Sequence, residues 1–75
     1  MGQLKPLPFR EVRRRLEAAG FSEVGQRGSH VKFARRDGGV VRTAVVPRHA
    51  EVAVGTLRSV LRQAHISAEE WDAFA

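Results

Sequence analysis

One histidine is set apart by its neighbours. His30 follows the pair Gly28-Ser29, with Arg27 just before that pair and Lys32 two positions beyond the ring. An imidazole exchanges protons near neutral pH, and guanidinium and ammonium groups hold phosphate oxygens. A base with cations beside it is close to the least machinery that can cleave RNA. The substrate brings its own nucleophile, the 2′-hydroxyl. The protein has to accept that proton, stabilise the charge gathering on the phosphate, and let the leaving oxygen gain a proton. DNA lacks the hydroxyl and is inert to this route. Arg42 is expected to join His30 and Lys32 on one sheet face as a further phosphate cation.

The other candidates are weaker. His49 follows Pro47-Arg48 in a loop that can fold toward the same face. His65 sits where a helix should end, and there a positive side chain suits the helix dipole, a structural role. Ser29 does not pair with His30 as a nucleophile, because adjacent strand residues point to opposite faces. It reads as a turn residue or a phosphate donor. The three histidines lack the spacing of H-E-x-x-H, and Asp37 and Glu51 make no dense cluster, so no metal and no other cofactor is expected. Gly38-Gly39 is not followed by G-K-[ST] and reads as a hairpin rather than a phosphate loop.

These residues need a scaffold, and the hydrophobic pattern supplies one. Phe9, Val12, Leu16 and Ala19 recur at helical spacing between Pro8 and Gly20, which predicts a helix over about 8–19. Its other face, with Arg10, Arg13, Arg14 and Glu17, reads as a solvated stripe. Residues 21–27 read as a short strand. His30 to Ala34 alternates, placing Val31 and Phe33 on one face and His30, Lys32 and Ala34 on the other. Asp37-Gly38-Gly39 is a hairpin signal. Val40 to Val46 is a third strand ended by Pro47, and 48–52 a loop. Leu57, Val60, Leu61 and Ala64 form one face of a helix over 54–64. Ser67-Ala68-Glu69-Glu70 is a capping box opening a short last helix anchored by Trp71 and Phe74. The expected fold is α+β: α-β-β-β-α with a three-stranded antiparallel sheet, two helices on one face, and a short C-terminal helix. The opposite sheet face is then free.

Composition narrows the function classes. Seventy-five residues allow one domain, 1–75, with a thin core and no deep cleft between lobes. Thirteen Lys and Arg against eight Asp and Glu give a net charge of +5, and the isoelectric point near 11.4 suits a nucleic-acid partner. The last ten residues carry only acids, Glu69, Glu70 and Asp72. Cysteine is absent, which excludes disulfides, Cys-ligated zinc, iron–sulfur clusters and thiol chemistry. No apolar run approaches the roughly 20 residues that span a bilayer, so no membrane partner is expected. The stretch Met1-Gly2-Gln3-Leu4-Lys5-Pro6 lacks the apolar segment of a secretory signal, and the cytoplasm is the expected location.

Four segments together resemble the HicA toxin family. They are Gly20-Phe21 after the first helix, Arg27-Gly28-Ser29-His30, Val46-Pro47-Arg48-His49, and Gly55-Thr56-Leu57-Arg58-Ser59-Val60-Leu61-Arg62-Gln63-Ala64 followed by Ile66-Ser67. G-S-H alone is a weak signal; G-S-H, V-P-x-H and G-T-L-R-S at these distances are a strong one. The likeness runs over about residues 6–74. It implies a double-stranded-RNA-binding-domain-like fold and the activity of an mRNA interferase, the toxin of a type II toxin–antitoxin system, neutralised by a HicB-like antitoxin that covers the active face. It implies His30 as the catalytic general acid/base and Gly28 and Ser29 as the residues that shape its turn. Arg27, Lys32, Arg42, Arg48 and His49 are expected to contact the RNA. Two departures stand out: His65 where members often carry Gly, and Ala50-Glu51-Val52 where many have a Gly-Gly-Lys stretch. The competing reading is a non-catalytic RNA-binding module of the same fold, though the Val54-Gly55-Thr56 helix start has none of the lysines such modules use. A third is a subunit kept only for its protein partner.

Overall fold

The apolar positions of the first helix recur every three to four residues, so a helix buries them as one stripe. In the computed structural model, which describes residues 3–75, α1 runs over Phe9–Ala18 and buries Phe9, Val12 and Leu16. The first two residues of the N-terminal stretch lie outside the described residues. Pro8, the predicted first residue, stands at the N-cap instead (φ −65°, ψ 152°), so the helix begins one position later. The C-terminus closes by two reversed bonds, Phe21 N–H to Leu16 O at 2.9 Å and Gly20 N–H to Glu17 O at 3.0 Å. Gly20 takes φ +95°, so the backbone favours glycine there, and a Cβ would come within 3.1 Å of the Arg35 side chain.

Three strands follow: β1 (Ser22–Arg27), β2 (His30–Asp37) and β3 (Val40–Pro47). They form an antiparallel meander in the order β1-β2-β3, with a register shift in β1 between Glu23 and Gly25. β2 runs three residues beyond the predicted Ala34, because Asp37 pairs with Val40 across the Gly38-Gly39 hairpin. Val31, Phe33, Ala44 and Val46 face inward and are buried. α2 (Val54–Ala64) covers them with Leu57, Val60, Leu61 and Ala64, and α3 (Ala68–Ala73) adds Trp71. The stretch read as a loop contains one further tie, an antiparallel bridge between Leu7 and Val52. No helix among the described residues is long and apolar enough to cross a membrane.

The stripe on α1 is less free than the sequence suggests. Glu11 accepts from Arg14 (2.6 Å) and Arg15 (2.8 Å). Arg14 then donates to Phe74 O at 2.9 Å, and Arg15 to Trp71 O at 3.3 Å while lying 5.3 Å from the indole centroid. The carboxylate thus orders two guanidiniums that hold α3. At the head of α3 both bonds of the expected capping box are present.

The Glu11 pair gives a pH signature. Hydrogen bonds from Arg14, then Arg15, lower its pKa from 4.5 to about 2. A carboxyl depressed in the folded state adds stability above its unfolded value and loses it as pH falls through its folded value. Glu11→Gln should therefore lower the urea midpoint above pH 5, with the gap to the parent closing as pH approaches 2. A gap of constant size across that range would mean that the ion pairs are not the cause.

His65 stands at the expected place, the end of α2. It takes the left-handed conformation (φ 58°, ψ 44°) at the end of α2, the position where glycine is usual. Its Nε2 lies 3.1 Å from the Arg42 guanidinium. A guanidinium only donates, so in this contact the ring nitrogen is placed to accept.

Candidate active site

A three-stranded sheet has two faces, and the helices cover one. On the other, period two and register decide which side chains stand together, because directly opposed residues in an antiparallel pair share a face. His30 is opposed by Arg27 on β1 and Pro47 on β3. In the next row Lys32 is opposed by Gly25 and Val45. Further along, Ala34 is opposed by Ser22 and Thr43. The uncovered face thus carries an imidazole at one end, a guanidinium and an ammonium beside it, and a partly apolar floor.

His30 reaches this position through its turn. Gly28 and Ser29 are the two central residues of the β1–β2 hairpin, and Gly28 has φ +59°. A positive φ at the first central position alone is the requirement of a type II′ turn, which favours glycine there and matches the twist of the strands. No other atom comes within 4 Å of a Cβ built on Gly28, so the demand is conformational rather than steric. Ser29 is exposed, and its carbonyl accepts from Arg48 N–H at 2.6 Å.

Gly25, Gln26, Arg27, His30, Lys32 and Val45 line a shallow depression of about 460 Å³. Arg27, His30 and Lys32 are all exposed. A flat, open, cationic surface of this kind suits an extended ribose–phosphate chain and does not enclose a small metabolite. Among the described residues no group of three His, Asp or Glu is placed to hold a metal ion.

The other expected RNA contacts do not all gather here. Arg42 is the clearest correction. Ala44 and Val46 point into the core, so period two turns Arg42 to that same face, opposite His30 and Lys32. It reaches past the end of α2 to His65, and its Nε is buried with no partner. Arg35, directly opposite Arg42 in the register and on the same inner face, is engaged elsewhere, donating to Ala19 O at 2.9 Å and to Asp37 at 3.2 Å.

Arg48 and His49 border a different groove, of about 350 Å³, with Pro8, Phe9, Arg10 and Ala50. Arg48 lies over the Phe9 ring at 4.8 Å and donates to Gln26 Oε1 at 3.3 Å. His49 ties this loop to α1 through its backbone: its carbonyl accepts from Phe9 N–H at 3.3 Å, and its N–H donates to Pro47 O at 2.9 Å. The sequence reading passed over Gln26, whose amide bonds the turn at Gly28 O, and Val24 and Val45, large apolar residues left exposed on the sheet. Val45 could have been read from the same alternation that places Lys32, whereas Val24 sits at the register shift of β1.

The family model described as the HicA toxin of bacterial toxin–antitoxin matches residues 9–66, most of the chain. It takes in α1, the whole sheet and α2, and stops short of α3. A search of curated proteins finds no match.

Proposed function

Because this chain belongs to the HicA toxin family, and so to the toxins of bacterial toxin–antitoxin systems, we propose that it cleaves RNA with His30 as general acid/base. The observation that carries the proposal is the cluster of Arg27, His30 and Lys32 on the uncovered sheet face. In the proposed step, the His30 imidazole takes the proton of a ribose 2′-hydroxyl. That oxygen attacks the adjacent phosphorus, the bond to the 5′-oxygen breaks, and the 5′-oxygen leaves with a proton taken from water. The products are a 2′,3′-cyclic phosphate and a 5′-hydroxyl end. Arg27 and Lys32 offset the charge that builds on the phosphate oxygens. Gly28 and Ser29 hold the turn. The messenger RNA of the host is the proposed substrate, in the cytoplasm, and no cofactor takes part.

A HicB-like antitoxin is the proposed partner. It would present carboxylates to Arg27 and Lys32 and shield His30, since a cationic open face is best covered by an acidic one.

Two matched oligonucleotides, one RNA and one DNA, test the reaction. Incubated with the protein in EDTA, the RNA should be cut to cyclic-phosphate ends while the DNA stays intact. Cleavage under subsaturating RNA should fall steeply with salt, by a log–log slope of about 0.7 for each phosphate contact to a single strand. RNA that is bound but recovered whole would instead favour a binding module, and cleavage that needs an added divalent ion would overturn the proposed chemistry.

A further inference from the structure

We infer that Gln26 and Arg48 are positioning residues for His30: together they clamp the turn that carries it and anchor that turn to the start of α1. The inference rests on the proposed role of His30 and assigns Arg48 a task other than phosphate contact.

Four contacts make the clamp. Gln26 Nε2 donates to Gly28 O at 2.9 Å. Arg48 Nη2 donates to Gln26 Oε1 at 3.3 Å. The Arg48 backbone N–H donates to Ser29 O at 2.6 Å. The Arg48 guanidinium then lies 4.8 Å from the centroid of Phe9, a core residue. Both carbonyls of the two-residue turn are therefore held, one by the Gln26 amide and the other by the Arg48 backbone. Both bonds lead to one guanidinium fixed on a buried ring.

The need for such a clamp follows from where His30 stands. It is the first residue of β2, at the end of a sheet whose turn is otherwise open to solvent, and hairpin ends fray. General acid/base catalysis depends on placing the imidazole within hydrogen-bond reach of the proton, and a misplacement of about 1 Å can cost a hundredfold in rate. A guanidinium suits the task because it stacks flat on an aromatic ring and donates in its own plane at once. An ammonium cannot do both. The same use of the guanidinium turns it away from the depression beside His30 and toward α1.

The test separates positioning from phosphate contact. Arg48→Lys keeps the charge and loses the planar clamp; Gln26→Ala keeps every charge and removes the link. Each should lower kcat for RNA by about tenfold to a hundredfold, with KM and the salt slope unchanged. The double variant should be no slower than the slower single, because both break one unit. In parallel, the amide resonance of Ser29 and the ring resonances of His30 should move in both variants, without RNA, while those of the α2–α3 junction hold still. Wild-type kcat in both variants, or a raised KM with a shallower salt slope in Arg48→Lys, would overturn the inference. If the parent protein leaves RNA whole, the proposed reaction fails by itself, and the NMR arm still decides the clamp: unmoved turn resonances reject it, and shifted ones uphold it.

Discussion

His30→Ala is expected to reduce RNA cleavage by at least a hundredfold, and up to about ten-thousandfold, the range that a positioned general acid/base contributes. Growth arrest on induction should disappear with it. The same substitution should leave thermal unfolding almost unchanged. His30 is exposed, no hydrogen bond engages its ring among the described residues, and its β-strand pairing uses backbone atoms that alanine retains. Exposed substitutions of this kind lie within about 0.5 kcal/mol of neutral. The pair of measurements is more informative than either alone. Lost cleavage with a parent-like melting curve places the defect in chemistry. Lost cleavage with a lowered melting temperature would mean that the ring supports the turn. Undiminished cleavage would remove His30 from the mechanism and leave the cationic face with a binding role.

Trp71→Ala should have the largest effect on stability, about 3–5 kcal/mol, the range for deleting a large buried aromatic. Trp71 is 1% exposed and belongs to the single core cluster that also holds Phe33, Leu16 and Leu57. Its loss would open a cavity and remove the ring beneath Arg15, and would loosen the contacts of Arg14 and Arg15 with α3. A domain of this size holds roughly 4–11 kcal/mol in total, and each kcal/mol is worth about 4–8 °C, so a drop of about 12 °C or more is expected. The result matters because the family match ends at Ile66, before α3 begins. A cost below about 1 kcal/mol in urea denaturation would make α3 an appendage. A cost in the expected range makes it a structural member, closing the core of a chain too short to close it otherwise.

Much of this architecture could be read locally. The recurrence of Phe9, Val12 and Leu16, the alternation around Val31 and Phe33, and the Ser67–Glu70 capping box each lie within one or two turns or strand pairs. Their physics is settled by nearest neighbours along the chain, so periodicity placed the elements to within a few residues. The same alternation placed His30 and Lys32 on the uncovered face. Arg42 shows how a local rule can be overridden by expectation. Alternation from Ala44 and Val46 puts it with the core, yet its charge suggested the phosphate face. On the inner side its guanidinium meets His65 at the end of α2.

Amino-acid order alone determined the class of fold, the free sheet face, and the imidazole and ammonium upon it, since helical and strand periods and turn chemistry act over a few bonds; the strand register then set Arg27 beside His30. Tertiary structure alone decided which other groups serve that site. Gln26 and Arg48 are 22 residues apart, and Arg48 and Phe9 farther still; they meet only because the β2–β3 register and the bond from Phe9 N–H to His49 O bring the three segments to one corner. Contacts of that kind depend on how separate elements pack against a shared core, and no local pattern along the chain encodes them.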